Sequence, residues 1–479
     1  MLDGLKPHPE RKDSGLPWLG EIPAHWTAVR IKRVLREMDR RSPDGSGTLL
    51  SLTRVRGLIR QSDMSAKATT AATLEGYKQY LPGEIVMNRM QAWSGMFGFG
   101  SEPGLVSPDY AVFRLLGGSD PAFLVHLLRS PSMVAQFAVE SKGIGSGFNR
   151  LYTDKFGAIS MPLPPPAEQA GIVRFLGAVD RKVNRFIRAK RRLIEVLTEQ
   201  KQAIITHAVT KGLNPSAPLK PSGLDWLGDV PEHWNVARAG SVAEFISTKA
   251  HEQFVEDDGE HICVTARFVS TDGRSFRRCT KNFSPAQRGD VLMVMSDLPR
   301  GRALARAYFV NDDKSYAVNQ RVCILRPKRV NPRYLAFATN RHPELLAQDD
   351  GFNQTHLPNA AFKIMRLALP PLTEQTQIVE SLVRTTSAID TTIDRTEREI
   401  DLIREYRTRL VADVVTGKVD VRAAAAAIPD EAQGPGTDQG AGGAHERCDD
   451  PASEDDAADG GDDLEPALEG SASAGEYEA

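Results

Sequence analysis

The sequence predicts an α/β (α+β) fold of two similar mixed domains that are joined by two long helices. A nine-residue motif with two tryptophans occurs twice, and a proline-rich motif also occurs twice. About 40 residues with helical spacing of apolar side chains follow each copy of the second motif. The copies lie 206 or 208 residues apart, whereas solenoid repeats span about 20 to 50 residues. We therefore predict an internal duplication of one domain-sized unit.

The repeated motifs are close matches of one another. The first reads WLGEIPAHW at 18–26 and WLGDVPEHW at 226–234. The second reads LPPPAEQAGIV at 163–173 and LPPLTEQTQIV at 369–379. A Gly-Phe-Asn triplet precedes the second motif in both halves, at 147–149 and 351–353. Chance does not account for a nine-residue match with two tryptophans, so these positions define the repeat.

Each unit ends in a long helix whose apolar residues follow three- and four-residue spacing, from Ile172 to Ala208 and from Ile378 to Val414. Each helix follows a proline run, has an acidic residue in its first turn and precedes a glycine: Pro164–Pro166, Glu168 and Gly212 in the first, and Pro370–Pro371, Glu374 and Gly417 in the second. A helix this long with a narrow apolar stripe needs a partner, and the other helix is the obvious one.

The region between the motifs predicts compact mixed domains. Short β-like runs bounded by Gly and Pro occur at 84–87, 111–113, 291–295 and 321–325. Short helical stretches occur at 121–129 and 332–339.

Charge is unevenly distributed along the chain. Residues 429–479 hold 16 acidic residues and one basic residue, and residues 1–428 hold 59 basic and 46 acidic residues, a net charge of +13. The acidic tail is rich in Gly, Ala and Ser, and we predict that it is disordered. Two interpretations are open: a solubilising tail, or a decoy that competes with nucleic acid for the basic body.

The first long helix is strongly basic. Residues 170–212 carry ten basic and three acidic groups, whereas residues 377–418 carry seven basic and eight acidic groups. The basic cluster between Arg181 and Arg192 is either a solvated face with salt bridges to the second helix or a contact for a phosphate backbone or an acidic partner.

Catalytic and metal motifs are weak. The sequence has no Walker A loop, and Ser107–Tyr110 and Asn331–Tyr334 depart from the NPPY-type tetrapeptide of adenine methyltransferases. A formal nuclease match, Pro108-Asp109 with Glu140–Lys142, has no counterpart in the second half. The four cysteines are scattered, and four histidines stand apart from other metal-ligating or catalytic residues in the sequence: His207, His251, His261 and His356. We therefore expect no catalytic residue and no metal. Without a signal peptide or apolar span, we expect a cytoplasmic protein without membrane contact.

Two similar domains at a fixed separation suit a long polyanion, and duplex DNA is the partner that the basic body favours. Arg and Lys recognise guanine or phosphate, and Asn and Gln recognise adenine. Base contact, phosphate contact and a plain surface role are all open for each candidate. The candidates are Arg54, Arg56, Lys78, Asn88, Arg89, Gln91, Lys142, Gly145, Gly147, Asn149, Arg150, Arg267, Arg274, Arg277, Arg278, Lys281, Arg300, Arg302, Gln320, Arg321, Asn353 and Gln354.

The two motifs, with the Gly-Ser-Gly-Phe-Asn stretch upstream, resemble the DNA specificity (S) subunits of type I restriction-modification systems over about residues 14–422. The resemblance implies two target recognition domains, each reading half of a split site, and an antiparallel helix pair that sets the spacer. It implies this division: an N-terminal Trp-motif segment at 1–28 that completes the second unit, target recognition domain 1 at 29–165, spacer helix 1 at 166–212, a linker with the repeated Trp motif at 213–233, target recognition domain 2 at 234–370 and spacer helix 2 at 371–418. The acidic tail, predicted to be disordered over 419–479, is a feature that the resemblance does not imply.

The resemblance also implies partners. Two modification subunits would supply S-adenosylmethionine-dependent adenine methylation, and two restriction subunits would supply ATP- and Mg-dependent translocation and cleavage. This chain would be non-catalytic and hold no cofactor. Framework or partner-contact positions would be Trp18, Trp26, Glu168, Gln169, Trp226, Trp234, Glu374 and Gln375. A protein-binding scaffold and a stand-alone nuclease or methyltransferase are the competing hypotheses.

Overall fold

The computed structural model describes residues 5–64, 73–143, 149–297, 303–349 and 355–429. Residues 430–479 of the predicted disordered tail lie outside these ranges. Residues 419–429 are described and include a short helix at Arg422–Ala426, so the predicted tail begins too early. In the described ranges, no single helix has the length and apolar character for a membrane span, and only the bent pair Pro121–Leu128 and Pro131–Glu140 meets that test jointly.

The first half contains fourteen described strands and four α-helices. In chain order they are β1 Arg11–Asp13, β2 Glu21–Pro23, β3 Thr27–Arg30, β4 Leu35–Met38, β5 Leu50–Thr53, β6 Gly57–Arg60, β7 Lys78–Tyr80, β8 Ile85–Asn88, β9 Phe97–Gly98, β10 Gly104–Val106, β11 Tyr110–Leu115, α1 Pro121–Leu128, α2 Pro131–Glu140, β12 Lys142–Gly143, β13 Asn149–Arg150, α3 Thr153–Ala158, β14 Ser160–Leu163 and α4 Pro166–Lys211.

The described part of the second half follows the same plan with two added helices, α5 and α10. Its elements are β15 Leu219–Pro221, β16 Asp229–Pro231, β17 Asn235–Arg238, β18 Ala243–Ile246, β19 His261–Val264, α5 Ala266–Ser270, β20 Arg277–Cys279, β21 Pro285–Ala286, β22 Val291–Val294, β23 Ser296–Asp297, β24 Ala307–Phe309, β25 Tyr316–Val318, β26 Val322–Pro327, α6 Pro332–Thr339, α7 Pro343–Leu346, β27 Thr355–His356, α8 Asn359–Ile364, β28 Arg366–Leu369, α9 Leu372–Val415 and α10 Arg422–Ala426.

The predicted repeat is visible in the sheet topology. A four-stranded sheet has the order β4-β11-β8-β9 in the first half and β18-β26-β22-β24 in the second. A further sheet of the second half has the order β20-β19-β25-β21. In the first half the corresponding pairs, β5–β6 and β10–β7, are joined by a single parallel bridge between Leu49 and Leu105. The predicted fold class, mixed domains with an internal repeat, is confirmed.

Buried apolar strands build the core of each domain. Ile85, Val86 and Met87 of β8 are fully buried, as is the whole of β22. A central strand with both faces covered reads as a continuous apolar run, which explains why these segments lack alternation. The short helices that cover the sheets start at side-chain caps, because Asp120 accepts hydrogen bonds at the start of α1 and Asn331 does so at the start of α6.

The two long helices form an antiparallel rod. Three ion pairs link them: Asp180–Arg407 at 2.7 Å, Lys190–Glu399 at 2.7 Å and Lys201–Asp390 at 2.6 Å. Numbers rise on α4 as they fall on α9, which fixes the antiparallel direction. With 46 and 44 residues, the helices are about 69 and 66 Å long at 1.5 Å per residue.

Apolar packing of α4 is concentrated at its two ends. Its buried apolar residues lie between Ile172 and Val183 and between Ile205 and Val209. The first group belongs to the core of the first domain and the second group to the core of the second domain. Each end of the rod is therefore part of one domain, while the middle depends more on polar contacts.

Each Trp motif packs on the glycine that ends a long helix. Gly417 and Gly212 have φ angles of +76° and +78°, which only glycine adopts readily. A Cβ atom would lie 3.1 Å from the Trp26 ring at Gly417 and 3.1 Å from the Trp234 ring at Gly212. The motif at the start of the chain therefore contacts the end of α9, and its repeat contacts the end of α4.

A buried glutamine ties each long helix to the adjacent domain. Gln169 accepts a hydrogen bond from the Asp120 N–H at 2.9 Å and donates to the Pro164 carbonyl at 2.8 Å. Gln375 repeats this with the Asn331 N–H at 2.7 Å and the Pro370 carbonyl at 2.9 Å. The Glu-Gln pair of the proline-rich motif therefore fixes the angle between rod and domain.

We expect Gln375→Leu to lower the free energy of unfolding by about 2 to 4 kcal/mol, since it leaves a buried N–H and a buried C=O unpaired at about 1 to 3 kcal/mol each. Urea denaturation measures this. Gln253 is exposed, so Gln253→Leu serves as the control and should change stability by less than about 0.5 kcal/mol. Equal stability of the Gln375 variant and the parent would contradict this role.

Candidate nucleic-acid interface

Three separate segments of the first domain meet at one surface. Arg54, in the turn between β5 and β6, donates to the Ser94 hydroxyl at 3.2 Å. The Leu151 N–H, next to the β12–β13 hairpin, donates to the Arg89 carbonyl at 3.0 Å. The Asn88 amide donates to the Gln91 side chain at 3.0 Å. We call the surface formed by residues 54–56, 88–94 and 149–152 the first reading face.

Several predicted residues are exposed on the first reading face. Arg54, Arg56, Gln91 and Asn149 are exposed, and Asn88 is half-buried. Lys142 is exposed on the same hairpin as Asn149, opposite Arg150 in the β12–β13 register. The sequence candidates of this domain, distant in the chain, are thus largely brought together.

The predicted role of Arg89 needs correction. Its guanidinium donates to the carbonyls of Pro108 at 3.2 Å, Asp109 at 3.0 Å and Tyr110 at 3.2 Å. Three backbone acceptors occupy the donors that a guanine would need. Arg89 therefore holds the loop before β11 in place instead of presenting its fork to DNA.

Lys78 is also corrected. Its side chain is 2% exposed, and its Nζ lies 3.7 Å from the Glu37 carboxylate and 3.3 Å from that of Asp39. A buried cation requires such partners because desolvation is costly. Lys78 therefore supports the domain interior and does not reach a DNA surface.

Two exposed aromatic residues complete the first reading face. Trp93 is 41% exposed and Tyr152 is 42% exposed. Arg150 lies over the Tyr152 ring at 5.6 Å and 3.6 Å from Asp109. Exposed rings beside cations are suited to stacking on bases. Neither ring is among the residues predicted from the sequence. Trp93 lies close in the chain to the predicted residues Asn88 and Gln91, and this proximity is the signal that could have identified it.

In the second domain, an edge strand carries basic and aromatic side chains. Arg277 and Arg278 are exposed on β20, and Lys281 follows it. The Arg278 guanidinium donates to the Gly259 carbonyl at 3.2 Å and lies 5.9 Å from the Phe276 ring. Lys281 lies over the Phe254 ring at 4.6 Å. These contacts orient the cations while their charges stay at the surface.

Arg321 and Gln320 lie beside the second-domain counterpart of the 88–94 loop. The Met295 N–H donates to the Arg321 carbonyl at 2.8 Å, and the Leu357 N–H donates to the Met295 carbonyl at 2.8 Å. The latter bond repeats Leu151–Arg89 at an offset of 206 residues. Gln320 hydrogen-bonds the Glu252 carboxylate. We call β20 through Lys281, with 295–297 and 320–321, the second reading face.

Arg274 joins the second domain to the rod. Its guanidinium lies 2.5 Å from the Glu397 carboxylate and 3.6 Å from that of Asp394 on α9. This side chain therefore links the domain to the rod, and its predicted DNA role stays a prediction. Arg267 lies on α5 and is exposed.

Some predicted residues lie outside the described residues: Gly145, Gly147, Arg300, Arg302, Asn353 and Gln354.

The side chains of the predicted framework residues lie largely in the protein interior. Trp26 and Trp234 are fully buried, as are Gln169 and Gln375 to within 3%. Trp18 and Trp226 are half-buried, and the Trp226 indole donates to Glu344 at 2.9 Å. His25 contacts Glu168 at 2.7 Å, and His233 contacts Glu374 at 2.7 Å. The Glu-Gln pairs make contacts within the chain, and the option that they meet a partner subunit stays a prediction.

An arginine stripe runs along α4. Arg181, Arg185, Arg188 and Arg192 are exposed and follow four-three-four spacing, which places them on one helix face. This face is opposite the buried residues Val179 and Val183 that face the core. At the equivalent position on α9, Asp394 replaces Arg188 and is bound by Arg274. The stripe is therefore specific to the first half.

The side chains of the two reading faces are suited to binding a ligand through hydrogen bonds, charge and stacking. The three cysteines within the described residues are buried, and burial raises the pKa of Cys263 to about 12, which disfavours a thiolate nucleophile. The two reading faces instead offer hydrogen-bond donors, cations and rings.

Arg129 positions part of the first reading face from below. Its Nε donates to the Phe97 carbonyl at 2.8 Å and its Nη1 to the Arg54 carbonyl at 2.9 Å. Burial, together with the nearby Arg54 charge, lowers the pKa of Arg129 to about 10. Its fork therefore fixes the backbone from which the Arg54 side chain projects.

We expect Arg129→Lys to keep the charge but lose the fork, because a lysine cannot donate to separate carbonyls in this planar geometry. Amide hydrogen exchange at 53–57 should become at least about tenfold faster, equal to about 1.4 kcal/mol of local stability. Arg56→Lys in the same turn is the control. Unchanged exchange in the Arg129 variant would refute this positioning role.

The comparisons with known proteins bear on this arrangement. Residues 231–402 match the model of the type I restriction modification DNA specificity domain. The type I restriction enzyme MjaVIII specificity subunit of Methanocaldococcus jannaschii is 24% identical over 302 residues, which span 59% of this chain and 68% of that protein.

One solved structure shares the fold, and a second is reported as similar. A chain from a study of complex assembly and conformational transition of the type I R-M system has a TM-score of 0.56 at 17% identity, over 82% of this chain and 98% of that one. The HsdS subunit from Thermoanaerobacter tengcongensis has a TM-score of 0.40 at 19% identity, over 82% of this chain and 96% of its own. The resemblance that the repeated motifs indicate is thereby confirmed: the chain is similar to the DNA specificity (S) subunits of type I restriction-modification systems.

Proposed function

We propose that this chain reads a bipartite DNA sequence, with one half-site on each reading face, and directs partner enzymes to it. The observation that carries the proposal is the attachment of two related domains to opposite ends of one antiparallel rod. Ile172 of the first core and Ile205 of the second lie 33 positions apart on α4, or about 50 Å along the helix. A rod of this length separates two short recognition sites by a gap that neither domain contacts.

The composition of the two faces supports recognition of different half-sites. The first reading face combines Arg54, Arg56 and Gln91 with the ring of Trp93. The second combines arginines of β20 with Lys281 and Arg321. Amide side chains suit adenine and arginines suit guanine, so different side chains on a shared backbone frame would read different bases.

The arginine stripe of α4 supports a sequence-independent contribution to binding. Exposed guanidinium groups on one helix face suit the phosphate backbone, which carries no sequence information. We assign the stripe to the spacer DNA between the half-sites. An acidic partner surface is the competing occupant.

Enzymatic work is assigned to partners. Modification subunits would bring S-adenosylmethionine and methylate adenine in each half-site, and restriction subunits would bring ATP and Mg for cleavage. The rod offers a docking place for them, because Phe186, Leu402 and Tyr406 are exposed along a groove of about 470 Å³. Exposed apolar surface on a charged rod suits a protein partner.

Exchanging one recognition domain tests the bipartite assignment. We expect replacement of 234–369 by the matching region of another specificity subunit to change one half of the methylated motif and to leave the other half and the spacer unchanged. Methylation-sensitive sequencing of a host that expresses the chain with its modification subunit measures this. Replacement of the corresponding first-domain region is the reciprocal control. A change in both halves would refute independent reading.

Lengthening the rod tests the spacer assignment. We insert seven residues into α4 between Lys190 and Lys201 and seven into α9 between Asp390 and Glu399. A heptad keeps the paired faces aligned and adds about 10 Å, so the spacer should grow by about three base pairs at 3.4 Å each. The same sequencing assay reads spacer length. Seven residues inserted into α9 alone is the mismatched control and should impair folding. An unchanged spacer length in the double-insertion variant would contradict the assignment of spacer length to the rod.

A further inference from the structure

The two Trp motifs differ in the hydrogen bonds that they make to the glutamate side chain of the proline-rich motif. In the second half, Glu374 accepts from the Trp234 indole at 3.1 Å and contacts His233 at 2.7 Å. Both carboxylate oxygens are therefore engaged by the Trp motif itself. This copy shows what the repeat requires for structure alone.

The first half keeps the histidine contact but loses the indole bond. His25 lies 2.7 Å from Glu168, as His233 does from Glu374. The Trp26 indole nitrogen, however, is buried and has no hydrogen-bond partner among the described residues. His8 approaches the free side of the carboxylate instead, with its Nε2 3.9 Å from Glu168 Oε1.

His8 is held in an unusual environment. Its side chain is 2% exposed, and its Nδ1 lies 3.7 Å from Asp420 Oδ2 without a hydrogen-bond partner among the described residues. Its ring centroid lies 5.6 Å from that of His25. At the 208-residue offset the second half has Ser216, so the arrangement belongs to the first half alone.

We propose that His8, His25 and Glu168 bind a divalent transition metal ion of the zinc class. Their ligand atoms all lie within 4.8 Å of one another. Tetrahedral zinc with bonds of about 2.0 to 2.1 Å needs ligand atoms about 3.4 Å apart. The observed 2.7 Å and 3.9 Å to Glu168 bracket that value, so small side-chain shifts suffice.

The surroundings match a metal-bound histidine. Coordination through His8 Nε2 leaves its Nδ1–H directed at Asp420, the carboxylate–histidine–metal arrangement that orients ligands and increases their basicity. His25 is 40% exposed and gives the ion a route from solvent. Two imidazoles and a carboxylate suit zinc, cobalt and nickel more than magnesium or calcium. Arg422, paired with Asp420 at 2.6 Å, opposes the cation and limits its affinity.

The ligands explain what the ion would do. His8 precedes β1, His25 lies between β2 and β3, and Glu168 is in the first turn of α4. Asp420 follows α9, where its N–H donates to the Lys6 carbonyl at 2.8 Å. A metal here would clamp the N-terminal segment to one end of the rod, where the second half has a continuous chain. The sequence predicts no metal site here, because 143 positions separate His25 from Glu168 and their proximity in space is not visible in the sequence.

Metal titration of the full-length chain tests the site. A tag-free sample is stripped with chelator, dialysed and titrated with Zn²⁺ by calorimetry, with bound metal measured after desalting. We expect one ion per chain and a higher Tm. Co²⁺ should give the visible absorption of a four-coordinate site with nitrogen and oxygen ligands.

Matched variants separate this site from other histidines. His8→Gln should abolish stoichiometric Zn²⁺ binding, and Asp420→Asn should weaken it by about 10- to 100-fold through the orienting contact. His233→Gln removes the equivalent histidine of the second half and should bind Zn²⁺ like the parent. Circular dichroism of the metal-free variants confirms folding, and if His8→Gln fails to fold, the affinity of Asp420→Asn decides.

The outcomes are distinct. No stoichiometric ion in the parent, retention of tight binding by His8→Gln, or loss of binding in His233→Gln would each overturn the proposal. Because the readout is metal binding and stability without DNA, failure here leaves the proposed DNA-reading function untouched.

Discussion

The antiparallel pairing of α4 and α9 is the constraint on which the molecule depends. Each domain core includes one end of both helices, so neither domain is complete without the rod. Gly212 and Gly417 let a tryptophan ring pack against each helix end, and Gln169 and Gln375 fix the helix starts. The orientation of both reading faces follows from these few contacts.

Much of the fold could be predicted because repetition and helical spacing are long-range signals in sequence. The proline runs predict helix starts at 166 and 371, and the helices begin at Pro166 and Leu372. Side-chain roles were less accessible, because they depend on which acceptor lies nearby. Lys78, Arg89 and Arg274 look like free cations in the sequence. In the structure Lys78 is buried beside two carboxylates, Arg89 donates to backbone carbonyls, and Arg274 pairs with acidic residues of α9. The reading faces were predicted in part, since their cations were identified while Trp93 and Tyr152 were not.

The two halves show how a shared frame accommodates different surfaces. The backbone hydrogen bond from Leu151 to Arg89 recurs from Leu357 to Met295. At the tip, however, the first half has a tight turn at 54–56, and the second half has α5 and a longer loop. A conserved backbone contact beside a changed tip is what two readers of unlike sequence require.

The two junctions between the units differ in the continuity of the chain. Between α4 and β15 the chain is continuous, whereas the end of α9 meets the N-terminal segment through the bridge of Lys6 and Asp420. The two units therefore follow one another in a circular order, and the chain is interrupted between the end of α9 and the N-terminal segment. Circular permutants with new ends in 213–218 should therefore retain the architecture.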